Sequence, residues 1–202
     1  MDRGVALSGE TVGAGCREAL ACAGPGRGGA AGFSLIEAMV SVALLALLAS
    51  LAAPNLSAFI QRYKADDTRE AFFASVNLAR AEAIRLGQRV VIRRLTACGY
   101  AGAASNDWSC GWRVFADANN DNVQAAGEAT LQELTGSRAI TVIKANPVNP
   151  DYLAIDVYGQ VTQSGQRFEI YPAGKGAING QLVCFSTGTR LRWLKAATSC
   201  PN

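Results

Sequence analysis

The sequence contains no histidine among its 202 residues. This absence excludes Ser-His-Asp and Cys-His nucleophile activation and every metal site that needs an imidazole ligand. Charged residues make up only 17% and aromatic residues only 7% of the chain, a balance that argues against a coiled coil. The net charge of +3 is too small to indicate nucleic-acid binding by itself. No serine and lysine form a recognisable catalytic motif, so we expect no enzyme.

The longest apolar run lies near the N-terminus. Residues 33–53 read FSLIEAMVSVALLALLASLAA, and Glu37 is their one ionisable side chain. At about 1.5 Å per residue, a helix of this length spans roughly 30 Å, the thickness of the hydrocarbon core of a bilayer. A core helix would carry polar residues at a 3.6-residue period, and this run does not. The sequence therefore predicts a transmembrane helix over 33–54.

Two simpler interpretations compete with a specialised anchor. A secretory signal peptide would place its apolar region at 40–48 and its cleavage site at 49–53, but Glu37 and Pro54 do not suit it. A generic single-pass helix would leave Glu37 as an unexplained cost of a few kcal/mol. A carboxylate in the membrane needs an opposite charge or a hydrogen-bond donor as its partner.

The segment GFSLIE at 32–37, followed by the apolar run and Pro54, resembles the N-terminus of type IV pilins and type II secretion pseudopilins. The resemblance implies that a prepilin peptidase cleaves between Gly32 and Phe33 and that the new amine of Phe33 is methylated. It also implies that Glu37 neutralises the Phe33 amine of a neighbouring subunit. Pro54 matches the helix-kink position of the family and would lose one backbone hydrogen bond there.

Residues 1–32 form the segment before this cleavage point. They contain three arginines and three acidic side chains and are longer than the short basic leader typical of that family. A wrongly chosen start codon would explain the extra length. We expect this segment to be a leader peptide that is cleaved, which removes Cys16 and Cys22 from the mature protein.

Residues 55–87 continue the helical pattern beyond the apolar run. Their apolar side chains recur at spacings of three and four residues, which places them on one helix face: Phe72, Val76, Ala79, Ala83 and Leu86. Gly87 is suited to end a helix. The pattern predicts an amphipathic continuation of the N-terminal helix.

Residues 88–202 alternate short apolar runs with turn residues, which is typical of antiparallel β structure. We predict strands at 89–95, 111–116, 130–134, 139–145, 152–158, 167–171, 181–186 and 190–194. Because one long helix precedes the strands, the order predicts an α+β fold whose amphipathic half-helix covers the sheet of a β-rich head domain. The resemblance likewise implies a pilin-like fold, with the head in the periplasm.

Three segments refine the resemblance: NLARAEAIRLG at 77–87, CGWRVFAD at 110–117 and VCFSTGTRLRW at 183–193. They resemble the GspH/FimT subfamily of minor pilins, so the likeness covers nearly all of 33–202. It implies a structural subunit that primes assembly of a type IV pilus, with DNA contact as an added activity in some members. The close alternative is the corresponding type II secretion pseudopilin H, which acts in protein export.

The same resemblance implies partners and a location. The implied partners are the major pilin, other minor pilins or pseudopilins, the prepilin peptidase, the inner-membrane assembly platform and, during uptake, DNA. The implied location is the bacterial inner membrane as a single-pass protein, and the filament tip or cell surface after assembly. A membrane-anchored periplasmic binding module that never enters a filament is the rival from a different class.

Four cysteines stay in the chain after processing: Cys98, Cys110, Cys184 and Cys200. An even number of cysteines in an oxidising compartment usually pairs. Sequence order favours Cys98 with Cys110 and Cys184 with Cys200 among the three possible connectivities. Buried free thiols are the alternative, and a four-cysteine metal site is disfavoured because the chain has no CxxC pair.

An acidic loop suggests calcium as the one candidate cofactor. Asp117, Asn119, Asp121 and Glu128 place oxygen side chains at positions 1, 3, 5 and 12, the spacing of an EF-hand loop. Asn122 stands where glycine normally makes the turn, and asparagine tolerates the left-handed conformation. However, the loop follows a strand, so the alternative is a polar turn whose side chains bond their own backbone.

The C-terminal region is locally basic, because no acidic residue follows position 169. The segment GTRLRW at 188–193 resembles the Gly-Arg-x-Arg tail of DNA-receptor members, with one threonine inserted. On a strand, Arg190 and Arg192 would share a face and with Lys195 contact phosphates, while Trp193 would stack on a base. The alternative is a solvated edge strand whose charges discourage aggregation.

Overall fold

The computed structural model describes residues 32–100, 104–145, 148–163, 165–176, 180–186, 190–197 and 199–200. The side chains of residues 51–55 lie outside this description, although their backbone is helical. The predicted leader therefore lies outside the described residues except for Gly32, and so does the side chain of Pro54. The chain divides into two units at the boundary between Leu45 and Ala46.

Along these described residues, one helix precedes eight strands. The elements are α1 (Leu35–Leu86), β1 (Arg89–Arg94), β2 (Gly111–Asp117), β3 (Thr130–Thr135), β4 (Ile140–Ala145), β5 (Tyr152–Ile155), β6 (Arg167–Pro172), β7 (Gln181–Phe185) and β8 (Leu191–Lys195). The helix ends where predicted, because Gly87 adopts a φ of 61° that suits the residue after a helix. The fold is α+β, as predicted.

The described part of the first unit, residues 32–45, carries the start of α1. Its large apolar side chains are exposed, with Phe33 at 82% and Leu35 at 80% of their full accessible area. Of the helical segments that the structure describes, none is both long enough and apolar enough to cross a membrane. The transmembrane helix predicted over 33–54 stays a prediction, and residues 51–55 of that segment have side chains outside the description.

The second unit contains two four-stranded antiparallel sheets. The first has the strand order β3-β2-β1-β5 and the second has the order β4-β6-β7-β8. The sequence pattern led us to expect one sheet under the helix, so the division into two is a correction. Consecutive strands β3 and β4 belong to different sheets, and alternating apolar residues do not reveal which strands pair.

The predicted apolar face of α1 forms the centre of the core. Phe72, Val76, Ala79 and Ala83 have no exposed surface, whereas Leu86 at the end of the helix is only partly buried. One cluster joins this face to side chains from both sheets, including Trp112 of the first sheet. The second cluster, around Phe115, lies on the other face of the first sheet. The spacing correctly predicted the buried face of the amphipathic half-helix, which covers two sheets and not the single sheet that was expected.

Strand β5 is shorter than predicted, because it ends at Ile155 rather than at 158. The side chain of Asp156 accepts hydrogen bonds from the backbone amides of Tyr158 (3.0 Å) and Gln160 (2.8 Å). Gly159 completes the turn with a φ of 76°. An aspartate that bonds the backbone two residues ahead starts a turn in place of a strand.

Candidate assembly and binding sites

Of the four residues predicted for processing and assembly, Gly32, Phe33 and Glu37 lie at the start of α1, whereas Pro54 lies within the helix. Gly32 precedes the helix, and a Cβ atom placed on it would meet nothing within 4 Å. Local packing therefore does not require glycine at this position. Glu37 lies in the first turn of α1, where a negative charge interacts favourably with the helix dipole.

Glu37 is exposed, and its carboxylate has no partner among the residues that the structure describes. Its backbone carbonyl accepts a hydrogen bond from the Ser41 hydroxyl (2.7 Å), but no described residue contacts its side-chain oxygens. The neighbouring side chains of Ile36 and Val40 are exposed apolar groups. A lone carboxylate on an apolar surface is costly to bury unless an opposite charge meets it.

The four predicted disulfide cysteines pair as sequence order suggests. Cys98 bonds to Cys110 with their Cα atoms 5.4 Å apart, and Cys184 bonds to Cys200 with theirs 5.8 Å apart. The first bond joins the segment after β1 to the start of β2, and the second joins β7 to the segment after β8. Both bonds close short loops, so each limits the freedom of the unfolded chain.

The acidic loop after β2 bonds its own backbone. The buried carboxylate of Asp117 accepts from the amides of Asp121 (3.1 Å) and Asn122 (3.2 Å). Asn119 donates from its side chain to Asp121 (2.8 Å), and Glu128 accepts from two loop amides at 2.9 Å each. These contacts match the alternative of a polar turn. Asn122 has the left-handed backbone expected of it, with a φ of 63°.

The calcium prediction gains no support from this geometry. In the part of the chain that the structure describes, no three acidic or cysteine side chains converge closely enough to hold a metal ion. Two arginines of strand β1 place positive charge beside the acidic loop. The Arg89 Nε atom lies 3.6 Å from the Asp117 carboxylate, and Arg93 donates to the Asn122 carbonyl (2.6 Å). The Arg89 guanidinium therefore offsets the charge of Asp117, and calcium binding stays a prediction.

The predicted DNA-contacting residues divide between the two faces of edge strand β8. Antiparallel register pairs Cys184 with Arg192 and Val183 with Trp193. Because side chains alternate along a strand, Arg190 and Arg192 share the outer face, whereas Trp193 and Lys195 share the face toward α1. Lys195 therefore does not share a strand face with the two arginines, and the DNA contact predicted for these residues stays a prediction. Because side chains alternate between the two faces of a strand, the sequence alone places position 195 on the opposite face from positions 190 and 192.

Trp193 has one face covered by an arginine. The guanidinium carbon of Arg69 lies 4.2 Å from the centre of the Trp193 ring, and 47% of the tryptophan surface is exposed. Arg69 also pairs with Asp66 (3.6 Å) and Glu70 (3.0 Å) on α1. A cation held over an aromatic ring contributes about 0.5 to 1 kcal/mol at an exposed site. Only the other face of Trp193 is available for stacking.

Lys144, in β4, is a fully buried lysine that was not among the predicted site residues. Its ammonium donates hydrogen bonds to the carbonyls of Asn149 and Tyr152, and lies 5.9 Å from the ring centres of Trp108 and Phe168. Desolvation by burial lowers the pKa of Lys144 from 10.5 to about 8, and the negative charge of Asp151 opposes part of that change. The strand alternation, which places position 144 with buried Ile140 and Val142, would have identified it.

The buried lysine predicts a pH-dependent stability. Below pH 8 Lys144 is protonated in both the folded and the unfolded state, and burial of its charge lowers the free energy of unfolding by about 3 kcal/mol. Between pH 8 and 10.5 the unfolded chain binds more protons than the folded chain, so stability rises with pH. Relative to Lys144→Met, the parent protein should gain about 2 to 3 kcal/mol of unfolding free energy between about pH 7 and pH 10.

Urea unfolding followed by tryptophan fluorescence at several pH values measures this difference. Lys64→Met, which removes an exposed lysine on α1, is the matched control and should follow the parent at every pH. Parallel pH profiles for the parent and Lys144→Met would show that the lysine does not titrate in this range.

Two family models match the sequence. The model described as type II transport protein GspH matches residues 68–190, more than half of the chain. The model described as prokaryotic N-terminal methylation motif matches residues 27–53, a segment that includes Gly32, Phe33 and Glu37. No curated protein matches the sequence significantly.

Solved structures resemble the chain at low sequence identity. The type IV minor pilin FimU of Pseudomonas aeruginosa is 22% identical, with a TM-score of 0.52, over 71% of this chain and 99% of that chain. The minor pseudopilin EpsH of the Vibrio cholerae type II secretion system is 16% identical, with a TM-score of 0.46, over 69% of this chain and 99% of that chain. The similarity to FimU shows a shared fold.

Proposed function

The chain belongs to the GspH family of type II transport proteins, and from this premise we propose that it primes the assembly of a type IV pilus or a type II secretion pseudopilus. It acts as a minor pilin or pseudopilin, a structural subunit that works by packing against other subunits. Proteins of this family are structural and not enzymes, in agreement with the absence of a recognisable catalytic motif. The type IV pilus is our first choice, and protein export as a type II pseudopilin is the close second.

The match to the N-terminal methylation motif supports the processing step. A prepilin peptidase cuts between Gly32 and Phe33, and the amine of Phe33 is methylated. Removal of the leader leaves that amine two residues before the start of α1 at Leu35. Glu37 then becomes the fifth residue of the mature chain, one turn of helix from its end.

The exposed, unpartnered carboxylate of Glu37 on an apolar helix surface is the observation that carries the proposal. Apolar surface of this extent is rarely left in water, so it is buried against lipid or against other helices. Glu37 is then stable only with a positive partner, and the Phe33 amine of an adjacent subunit has the required charge. The same contact sets the axial register between neighbouring helices.

We place the protein first in the inner membrane, with a single N-terminal helix as its anchor and the β-rich head domain, residues 88–202, in the periplasm. The two disulfide bonds support this placement, because disulfides persist in oxidising compartments. Docking against other minor subunits and the major pilin follows, on the inner-membrane assembly platform. Extraction then moves the helix into the filament, and the head domain is displayed at the tip.

Deletion of the gene, scored for pili, secretion and transformation together, tests this function. We expect loss of pili or of secretion, and restoration by the parent gene. The affected readout distinguishes the type IV pilus from the type II system. Normal pili and normal secretion in the deletion strain would contradict the proposal and favour an anchored binding module outside any filament.

DNA contact is a second candidate activity, favoured by the exposed pair Arg190 and Arg192 on the outer face of β8. Two cations on one strand face are about 7 Å apart, close to the spacing of successive phosphates. The transformation readout of the same strains tests it when the deletion is complemented with the Arg190→Gln, Arg192→Gln chain. Reduced transformation with normal pili supports the contact, and unchanged transformation removes both arginines from that role.

A further inference from the structure

A basic cleft lies between α1 and the second sheet, and we define it by Arg62, Lys175 and Lys195. These side chains come from α1, from the turn after β6 and from the end of β8, and they line a cleft of about 290 Å³. The remaining lining residues are uncharged, so the cleft carries only positive charge. Three cations from three separate elements therefore face one small space.

The three cations have no acidic partner among the described residues. Seven arginines in the described chain form ion pairs within 4.0 Å of a carboxylate: Arg69, Arg85, Arg89, Arg93, Arg94, Arg113 and Arg167. Arg62, Lys175 and Lys195 form neither such a pair nor a side-chain hydrogen bond in the part of the chain that is described. Like charges that share a cleft repel one another, and an anion removes that cost.

The backbone holds these positions in place. The amide of Lys175 donates to the Pro172 carbonyl (3.0 Å), which fixes the turn, and Lys195 pairs with Gln181 across the β7–β8 ladder. The Gln181 side chain donates to Asp66 of α1 (2.6 Å) and so ties the ladder to the helix that carries Arg62. The cleft is therefore part of the packed unit.

An aromatic groove of about 660 Å³ adjoins the basic cleft and shares Arg62 and Lys195 with it. Its wall includes Phe59, Tyr63 and Trp193, which are 65%, 66% and 47% exposed. Two acidic side chains, Asp66 and Glu70, also line it, and both form ion pairs with Arg69. Exposed aromatic side chains beside lysine and arginine are typical of the interface between lipid and water. This arrangement fits a ligand with a charged phosphate and an adjoining less polar body.

The position along α1 selects the ligand. Arg62, the cation that α1 contributes to the cleft, lies eight residues beyond position 54, the end of the predicted transmembrane helix, which is roughly 12 Å along a helix. Side chains on a helix point back toward its N-terminus, so the long side chain of an arginine at this position can extend back to the headgroup layer. The headgroup layer on each side of a bilayer is roughly 5 to 8 Å thick. We propose that the basic cleft binds the phosphate of an anionic phospholipid headgroup while the protein is anchored in the membrane, before it enters a filament. This inference rests on the membrane anchoring in the proposed function.

Native mass spectrometry of the full-length processed chain in a neutral detergent tests the cleft. We expect phosphatidylglycerol to be retained on the order of tenfold more than phosphatidylcholine, and Arg62→Gln, Lys175→Gln, Lys195→Gln to lose that preference. The matched control carries the same charge change at exposed positions outside the cleft, as Lys64→Gln, Arg85→Gln, Arg138→Gln, and should keep the preference. Equal retention of both lipids by the parent, or equal loss in both triple variants, would overturn the proposal.

Two competitors identify the source of the phosphate. Millimolar inorganic phosphate should leave phosphatidylglycerol bound, and displacement by it would show a site for free phosphate. A short single-stranded DNA should not compete, and displacement by it would assign the cleft to nucleic acid. The lipid measurement does not depend on a filament, so its result tests the cleft independently of the assembly role. A chain with the lipid preference that cannot restore pili or secretion contradicts only the assembly role, and normal assembly without the preference contradicts only the cleft.

Discussion

Replacement of Phe72 with alanine should lower the free energy of unfolding of the second unit by about 3 to 5 kcal/mol. Phe72 is fully buried, and its ring centre lies 5.2 Å from that of Trp112 and 4.5 Å from that of Phe168. One of these partners belongs to the first sheet and the other to the second. Because a domain of this kind has only about 5 to 15 kcal/mol of stability, this single change removes a large part of it.

Urea unfolding followed by tryptophan fluorescence measures the effect of Phe72→Ala. Phe59→Ala is the matched control, because it removes the same side chain from an exposed position on the same helix and should change stability by less than about 0.5 kcal/mol. Phe72→Leu should lose less than Phe72→Ala, since it keeps most of the buried volume. A loss for Phe72→Ala as small as that for Phe59→Ala would show that α1 does not join the two sheets through this ring.

Features of the fold that depend on neighbours in the sequence could be predicted. The three- and four-residue spacing of Phe72, Val76 and Ala79 identified the buried face of α1, because a helix repeats about every 3.6 residues. The disulfide pairs could be predicted for the same reason, since each bond joins cysteines that are close in the sequence. The division into two sheets could not be predicted, because strand pairing joins β1 to β5 across more than fifty residues.

The charges around the candidate sites likewise depend on residues that are distant in the sequence, so local spacing could not predict them. The spacing of Asp117 and Asp121 predicts a cation loop from neighbouring residues alone, but the positive charge that the structure places beside Asp117 belongs to Arg89, on the neighbouring strand. Local spacing could not show that contact. The basic cleft was also missed, because Arg62 and Lys195 lie more than a hundred residues apart and meet only after the helix packs on the sheet.

Loss of the Glu37 carboxylate should prevent productive docking of the mature chain. In the proposed filament, the methylated amine of Phe33 on one subunit is buried against the apolar helices of its neighbours. Removal of the opposite charge leaves that amine without a partner, which costs about 3 to 5 kcal/mol for a buried ion. A cost of this size lowers the docking equilibrium by about a hundredfold or more.

Glu37→Ala, expressed in the deletion strain, should therefore restore pili or secretion to no more than a few per cent of the parent level on this scale. Mass spectrometry of the purified chain should still find Phe33 at the N-terminus, which separates an assembly defect from a processing defect. Glu37→Gln keeps the shape but not the charge and should fail similarly. The control, Asp67→Ala, removes an exposed acid from the same helix and should restore assembly. If Glu37→Ala assembles as well as the parent, the carboxylate does not pair with a neighbouring amine, because an unpaired buried ammonium cannot be accommodated at so small a cost.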